Sequence, residues 1–171
     1  MKPILTMENP ALRQQSKRVR LFDKSLKKLA DDMLETLRKS TPTGVGLAAP
    51  QIGVLFRVIV IELPEPEEQT HIIINPEIVK KIGERRVIEG CLSIPGYSAE
   101  IKRAAEVTVK GLDLHGNKIR IKAEDLLAQA LEHEIDHLNG VLFIDHIESK
   151  DNLHRNETVN DGSKTEHSNT I

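Results

Sequence analysis

The sequence predicts an α+β fold, with mainly antiparallel sheets packed around a late central helix and an amphipathic helix near the N-terminus. Three observations carry that prediction. Apolar residues recur at three-four spacing between Asp23 and Ser40. They do so again between Ala123 and Asn139. Between these two stretches lie short Val- and Ile-rich runs punctuated by Gly, Pro and Asn.

Residues 1–20 are mixed and Pro-punctuated, and read as an extended arm with a turn near Asn9-Pro10. In the first helix, Leu26, Leu29, Ala30, Met33, Leu34 and Leu37 make one apolar face. Asp23 is its expected N-cap, and Thr41-Pro42 ends it. Gly44 to Gly53 holds three glycines and a proline, which marks a shaped loop. That loop lacks the Lys-Ser/Thr ending of a phosphate loop. It is either a tight helix-to-strand turn or a place where small residues let a substrate backbone approach. In the second case Gln51 is a neutral donor aimed at a carbonyl.

Val54 to Leu63 and His71 to Val79 read as strands, the latter interrupted at Asn75-Pro76. Pro64 to Glu68 is an acidic turn, and Arg85 to Ile88 a short strand after Gly83. Val107 and Val109 alternate with polar residues, as do Ile119 and Ile121, and Gly116-Asn117 between them predicts a hairpin. Ala123 to Asn139 is the second helix, with Gly140 as its stop signal. These elements divide the chain into one catalytic-type domain over 1–150 and a polar tail over 151–171, expected to be disordered.

Of the 171 residues, 39% are hydrophobic and 29% charged, as in a soluble globular chain. Only Phe22, Phe56, Tyr97 and Phe143 are aromatic, so aliphatic side chains must build the core. A net charge of -2 argues against a general nucleic-acid binder. No apolar run approaches the roughly 18 residues of a membrane span. Met1 to Thr6 shows no signal-peptide region. The lone cysteine fits a reducing cytoplasm.

The chemistry centres on the second helix. His133, Glu134 and His137 form H-E-x-x-H, and residues four apart on a helix share a face. Two imidazoles there can hold a metal ion, with Glu134 reaching a water beside it. All three fall on or beside the apolar stripe of Leu126, Leu127, Ala130, Leu131 and Leu138. A buried carboxylate is costly unless it is paired or stands near a cation. A tetrahedral catalytic site needs a third protein ligand. Glu148 downstream and Cys91 upstream both qualify by residue type, and Cys91 also reads as a small buried apolar residue. His71, His115, His146, His154 and His167 read as surface or capping residues.

Three segments together resemble one family. Gly44 to Gln51 (G-V-G-L-A-A-P-Q), Glu89 to Ser93 (E-G-C-L-S) and His133 to His137 (H-E-I-D-H) are similar, in order and spacing, to the three motifs of peptide deformylases. The resemblance covers about residues 2–148. It implies a metal-dependent hydrolase that removes the formyl group from the N-terminal formyl-methionine of new polypeptides and releases formate. It implies Cys91, His133 and His137 as ligands of one divalent ion, Fe²⁺ in most members, with Zn²⁺, Ni²⁺ or Co²⁺ accommodated. It implies that a metal-bound water attacks the formyl carbon with Glu134 as general base and then acid. Gln51 and the Leu92 backbone N–H would hold the oxyanion. Gly46 would bond the substrate backbone, while Val45, Val87, Leu126 and Ala130, with Leu92 and His133, would line the methionine pocket. Asp136 reads either as an acceptor that orients a ligand imidazole or as a solvated helix carboxylate, and Glu89 and Arg103 as structural ion-pair members, with a plain surface role equally open for Arg103. The implied partners are nascent formyl-Met chains, hence transient proximity to the ribosome, with no direct nucleic-acid or membrane contact. Thr43, Glu132 and Tyr97 depart from the commoner family residues. Two rival readings are a zinc peptidase with a downstream third ligand and a silent metal-stabilised module.

Overall fold

The computed structural model describes residues 1–67, 69–156 and 171. Among the described residues two α-helices and eight strands are formed: α1 (Lys24–Arg38), β1 (Gly46–Ala48), β2 (Val58–Glu62), β3 (Thr70–Ile82), β4 (Arg85–Cys91), β5 (Ile94–Arg103), β6 (Glu106–Leu112), β7 (Lys118–Glu124), α2 (Asp125–Leu138) and β8 (Leu153–Arg155). Every strand pair is antiparallel, in a five-stranded sheet ordered β1-β2-β3-β6-β7 and a three-stranded sheet ordered β4-β5-β8. No helix among the described residues is long and apolar enough to cross a membrane.

The Val58–Glu62 run is apolar at successive positions because β2 is covered on both faces. Ile59 and Ile61 join the cluster that holds Ala128, Ala130, Leu131 and Leu138 of α2. Val58 and Val60 join the cluster that holds Leu26, Met33, Leu34 and Leu37 of α1. A strand buried on both faces reads as a continuous apolar run rather than an alternating one. Asp23 caps α1, its Oδ1 accepting from the Ser25 and Leu26 N–H groups at 2.9 and 3.2 Å. Such a cap contributes about 1 kcal/mol.

Several elements differ from the sequence expectations. The Gly44–Gly53 stretch is not all loop: Gly46–Ala48 pairs with β2, and Ala49–Ile52 forms a 3-10 turn. The interruption expected at Asn75-Pro76 is present as a register shift, but the strand runs on to Ile82, past the expected limit at Val79. Asn75 adopts φ 51°, and its side chain bonds both the N–H and the carbonyl of Val19, pinning the N-terminal arm. β5 carries no alternation strong enough to be read in advance, since its Pro95-Gly96 start lies on the exposed side. Ala123 and Glu124 finish β7 rather than opening α2. The tail expected from Asp151 begins with a 3-10 turn over Lys150–Asn152 and then β8, which pairs with β5. The remainder of that expectation, 157–170, lies outside the described residues.

The arm also steadies the loops that matter below. Leu5 N–H donates to the Gln51 carbonyl at 2.8 Å, and Met7 N–H to the Ser93 carbonyl at 3.0 Å.

Candidate metal centre

α2 delivers His133, Glu134 and His137, all buried, to one point between the two sheets. β4 delivers the third group. Its pairing with β5 shifts register between Gly90 and Cys91, so Cys91 stands opposite Ile94 at the turn. Cys91 Sγ lies 3.3 Å from His137 Nε2, which lies 3.2 Å from His133 Nε2. The three donor atoms all fall within 4.8 Å of one another. Tetrahedral bonds of about 2.0–2.3 Å to nitrogen and sulfur place donor atoms about 3.3–3.7 Å apart, close to these separations. Ser93 N–H points at the Cys91 sulfur at 3.4 Å, and Gln51 Nε2 does so at 3.6 Å.

His133 is oriented from behind. Its Nδ1 lies 2.9 Å from Glu89 Oε2, and Glu89 receives Arg103 Nε and Nη2 at 3.1 and 2.7 Å. Burial raises the Glu89 pKa, but His133 and Arg103 outweigh it and hold the group down at about 2. An ionised Glu89 only accepts, so Nδ1 of His133 carries the proton and Nε2 faces the cluster. Arg103 Nη1 continues to Asp136 Oδ2 at 2.7 Å, and His146 Nε2 meets the same oxygen at 2.8 Å. The guanidinium, 2% exposed, is therefore a hub between the two carboxylates rather than a surface group.

The two imidazoles facing one another have opposite tendencies. Burial opposes a charge on His133, yet Glu89 and Cys91 raise its pKa well above the ordinary value. His137 is driven well below it by burial and by a charged His133. Both oxygens of Glu134 and Nδ1 of His137 are buried without a hydrogen-bond partner. Burial pushes the Glu134 pKa up to about 8. A cation beside the carboxylate acts in the opposite direction and favours its ionised form. Facing donors, a thiol with two N–H groups on it, and an orphaned carboxylate next to them fit a divalent ion.

The remaining expected site residues fall as follows. Gln51 is 1% exposed, its Oε1 fixed by the Ala48 N–H at 2.9 Å and its Nε2 shared between Ser93 Oγ at 3.1 Å and the Cys91 sulfur. Leu92 sits between Cys91 and Ser93 with its side chain against Gly44. A Cβ on Gly46 would stand 2.9 Å from the Glu134 carboxyl carbon, so the backbone there is pressed against that side chain. Val45 and Ala130 are buried in one apolar cluster and Leu126 packs against it. Val87 packs instead with Cys91, Leu142 and Phe143. Glu148 does not join the cluster: it is half exposed and bonds Arg86 and Lys102. A cleft bordered by Thr41, Pro42, Cys91, Leu92, Tyr97 and Asn156 opens above the thiol.

Sequence reasoning missed three contributors. Ser93 shares the Gln51 amide. His146 braces Asp136, although its sequence neighbourhood gives no signal of this. Glu132 accepts from the Ala104 N–H at 2.7 Å and pairs with Lys81 at 2.6 Å, so it is a buried tie between α2 and the sheets.

The family described as polypeptide deformylase matches residues 1–153. A peptide deformylase of Dehalococcoides mccartyi is 53% identical over 151 residues, covering 88% of this chain and 89% of that protein. One of Thermomicrobium roseum is 46% identical over 159 residues, covering 90% and 89%. The crystal structure of a peptide deformylase from Legionella pneumophila superposes with a TM-score of 0.82 at 46% identity over 86% of each chain. That of the Thermotoga maritima enzyme gives 0.81 at 38% identity, covering 87% of this chain and 99% of the other.

Proposed function

The chain belongs to the polypeptide deformylase family, and on that premise we propose that its 1–150 unit hydrolyses the formyl amide of N-terminal formyl-methionine on new polypeptides. The single observation that carries the residue-level reading is the convergence of Cys91, His133 and His137 beside the unpartnered carboxylate of Glu134.

Cys91, His133 and His137 would hold one divalent ion, Fe²⁺ by family resemblance. When bound, that ion supplies Lewis-acid polarisation and lowers the pKa of water at the site. Glu134 accepts a proton from the attacking water and returns it to the departing amine, so that formate and a free N-terminus are released. The closeness of the carboxylate to the backbone of Gly46 supports this role for a peptide that lies along the edge strand β1. Gln51 Nε2, whose amide is fixed through Oε1, is the side-chain donor for the developing oxyanion, with the Leu92 N–H as the second. One such donor is worth roughly 3 kcal/mol of barrier.

Glu89, Arg103 and Asp136 hold the imidazoles in register through a continuous set of ionic hydrogen bonds. Val45, Leu126 and Ala130 form the apolar wall for the methionine side chain, and Val87 supports Cys91 from the other side. A nascent chain as substrate puts the reaction in the cytoplasm, near the ribosome.

The test is formate release from formyl-Met-Ala-Ser by the anaerobically purified chain, with bound metal measured on the same sample. Formate at a rate proportional to bound iron is the expected result. Iron bound without formate release would overturn the reading.

A further inference from the structure

Ile171 is completely buried, although it follows a polar stretch. Its N–H donates to the Gly90 carbonyl at 3.3 Å, and its side chain belongs to the apolar cluster of Val45, Ala130 and Leu131. Three of the residues named here adjoin parts of the candidate centre along the chain. Gly90 precedes Cys91, Val45 precedes the Gly46 that touches Glu134, and Ala130 lies one turn before His133 and Glu134.

Among the described residues β4 pairs with β5 on one side only, and β1 is the edge of the other sheet. The single Ile171 N–H on the edge of β4, with its aliphatic side chain buried, uses the kinds of backbone and side-chain contact that a docked peptide uses in strand addition. The chain has the length to do this. β8 leaves off at Asn156, whose N–H is bonded to Gly96 and which borders the cleft above Cys91. The fifteen steps from there to Ile171 reach up to about 50 Å when extended.

We infer that Ile171 docks in the apolar pocket beside Cys91 and Glu134 and competes there with the methionine side chain of the peptide substrate. This rests on the reading of the centre as a deformylase site. A tethered occupant acts at an effective concentration of about millimolar, so even weak docking raises the apparent KM without touching the reacting groups.

The test uses the full chain with its metal bound. Ile171→Asp places a charge in the pocket and should release it. KM for formyl-Met-Ala-Ser falls at least threefold with kcat unchanged, whereas Ile171→Leu keeps the unsubstituted KM. A merely structural Ile171 predicts the reverse: lower thermal stability with KM unchanged or higher, and that result overturns the inference. A KM that rises with enzyme concentration would assign the contact to a second copy and also overturn it.

An independent readout needs no variant. In the zinc-loaded, ¹⁵N-labelled chain, the Ile171 amide exchanges slowly with solvent and becomes fast on adding the tripeptide Met-Ala-Ser. An Ile171 amide already fast without peptide removes the docking. If no form of the chain releases formate, the functional reading fails by itself and the exchange measurement decides the docking alone.

Discussion

Glu134 shows how one residue can be cheap to read and costly to place. Its position between two histidines four apart is a local fact, but a carboxylate with both oxygens buried and unpartnered only makes sense beside a cation. Glu134→Gln preserves shape and removes the base. It is expected to keep bound metal and lose about 10²–10⁴-fold in formate release. Full turnover by that variant would remove the assigned role. Glu89→Gln keeps an acceptor for His133 but not the charge that meets Arg103. Metal affinity should weaken about 10–100-fold, measured by competition with a chromogenic chelator. Of these residues, the H-E-x-x-H triad was legible from helical spacing alone. Residue type alone left Cys91 and Glu148 both open; the E-G-C-L-S motif favoured Cys91, and the strand end that reaches α2 brings it to the imidazoles. Arg103 was named only through the family resemblance, and the role of His146 was illegible, since a lone His has no sequence partner until the sheets fold.

At the scale of elements, helices were read more fully than strands. α1 carries its own cap and a one-sided apolar face, so its limits of Lys24 and Arg38 follow from local rules. β1 is three residues long and glycine-rich, and only its pairing with β2 makes it a strand. That pairing is what presses Gly46 against Glu134. Gly46→Ala should therefore displace the carboxylate and reduce turnover about 10²-fold, while leaving metal content unchanged. A variant with normal kcat would show that the close approach has no catalytic consequence. β8 was hidden for a similar reason: Leu153–Arg155 is polar and exposed, and it is ordered by the edge of β5 rather than by burial.

The whole molecule stores part of its stability in groups that the centre leaves uncompensated. Adding Zn²⁺ to metal-free protein should raise Tm with the logarithm of free metal, by an amount equivalent to about 4 kcal/mol at a thousandfold excess over Kd. A Tm independent of metal would contradict the assigned ligand set. Far from the centre, Arg13 clasps Asp145 and so ties the arm to the segment after α2. Partial burial opposes ionisation of Asp145, but Arg13 and the Leu142 N–H prevail and hold its pKa below the ordinary 3.8. A depressed carboxylate contributes stability that is present above the ordinary value and is lost as pH falls through the folded one. Both side chains are over one-third exposed, so the pair is worth under about 1 kcal/mol. Denaturant melts of Asp145→Asn should show that small deficit at pH 7 and a progressive narrowing of it as pH falls below 3.8. A deficit that does not narrow at all below 3.8 would mean the loss is not ionic.

By itself the sequence determined the helices, the hairpin, the metal-binding spacing and the three family motifs, because periodicity, caps and contiguous motifs are local properties of the chain. Only the tertiary structure decided the contacts themselves: Cys91 beside the two imidazoles, Glu89 behind His133, Arg103 on Asp136, and Ile171 against Gly90. Those contacts join residues far apart in the chain, 46 positions for Cys91 and His137, 44 for Glu89 and His133 and 33 for Arg103 and Asp136, and they exist only once both sheets have closed on α2.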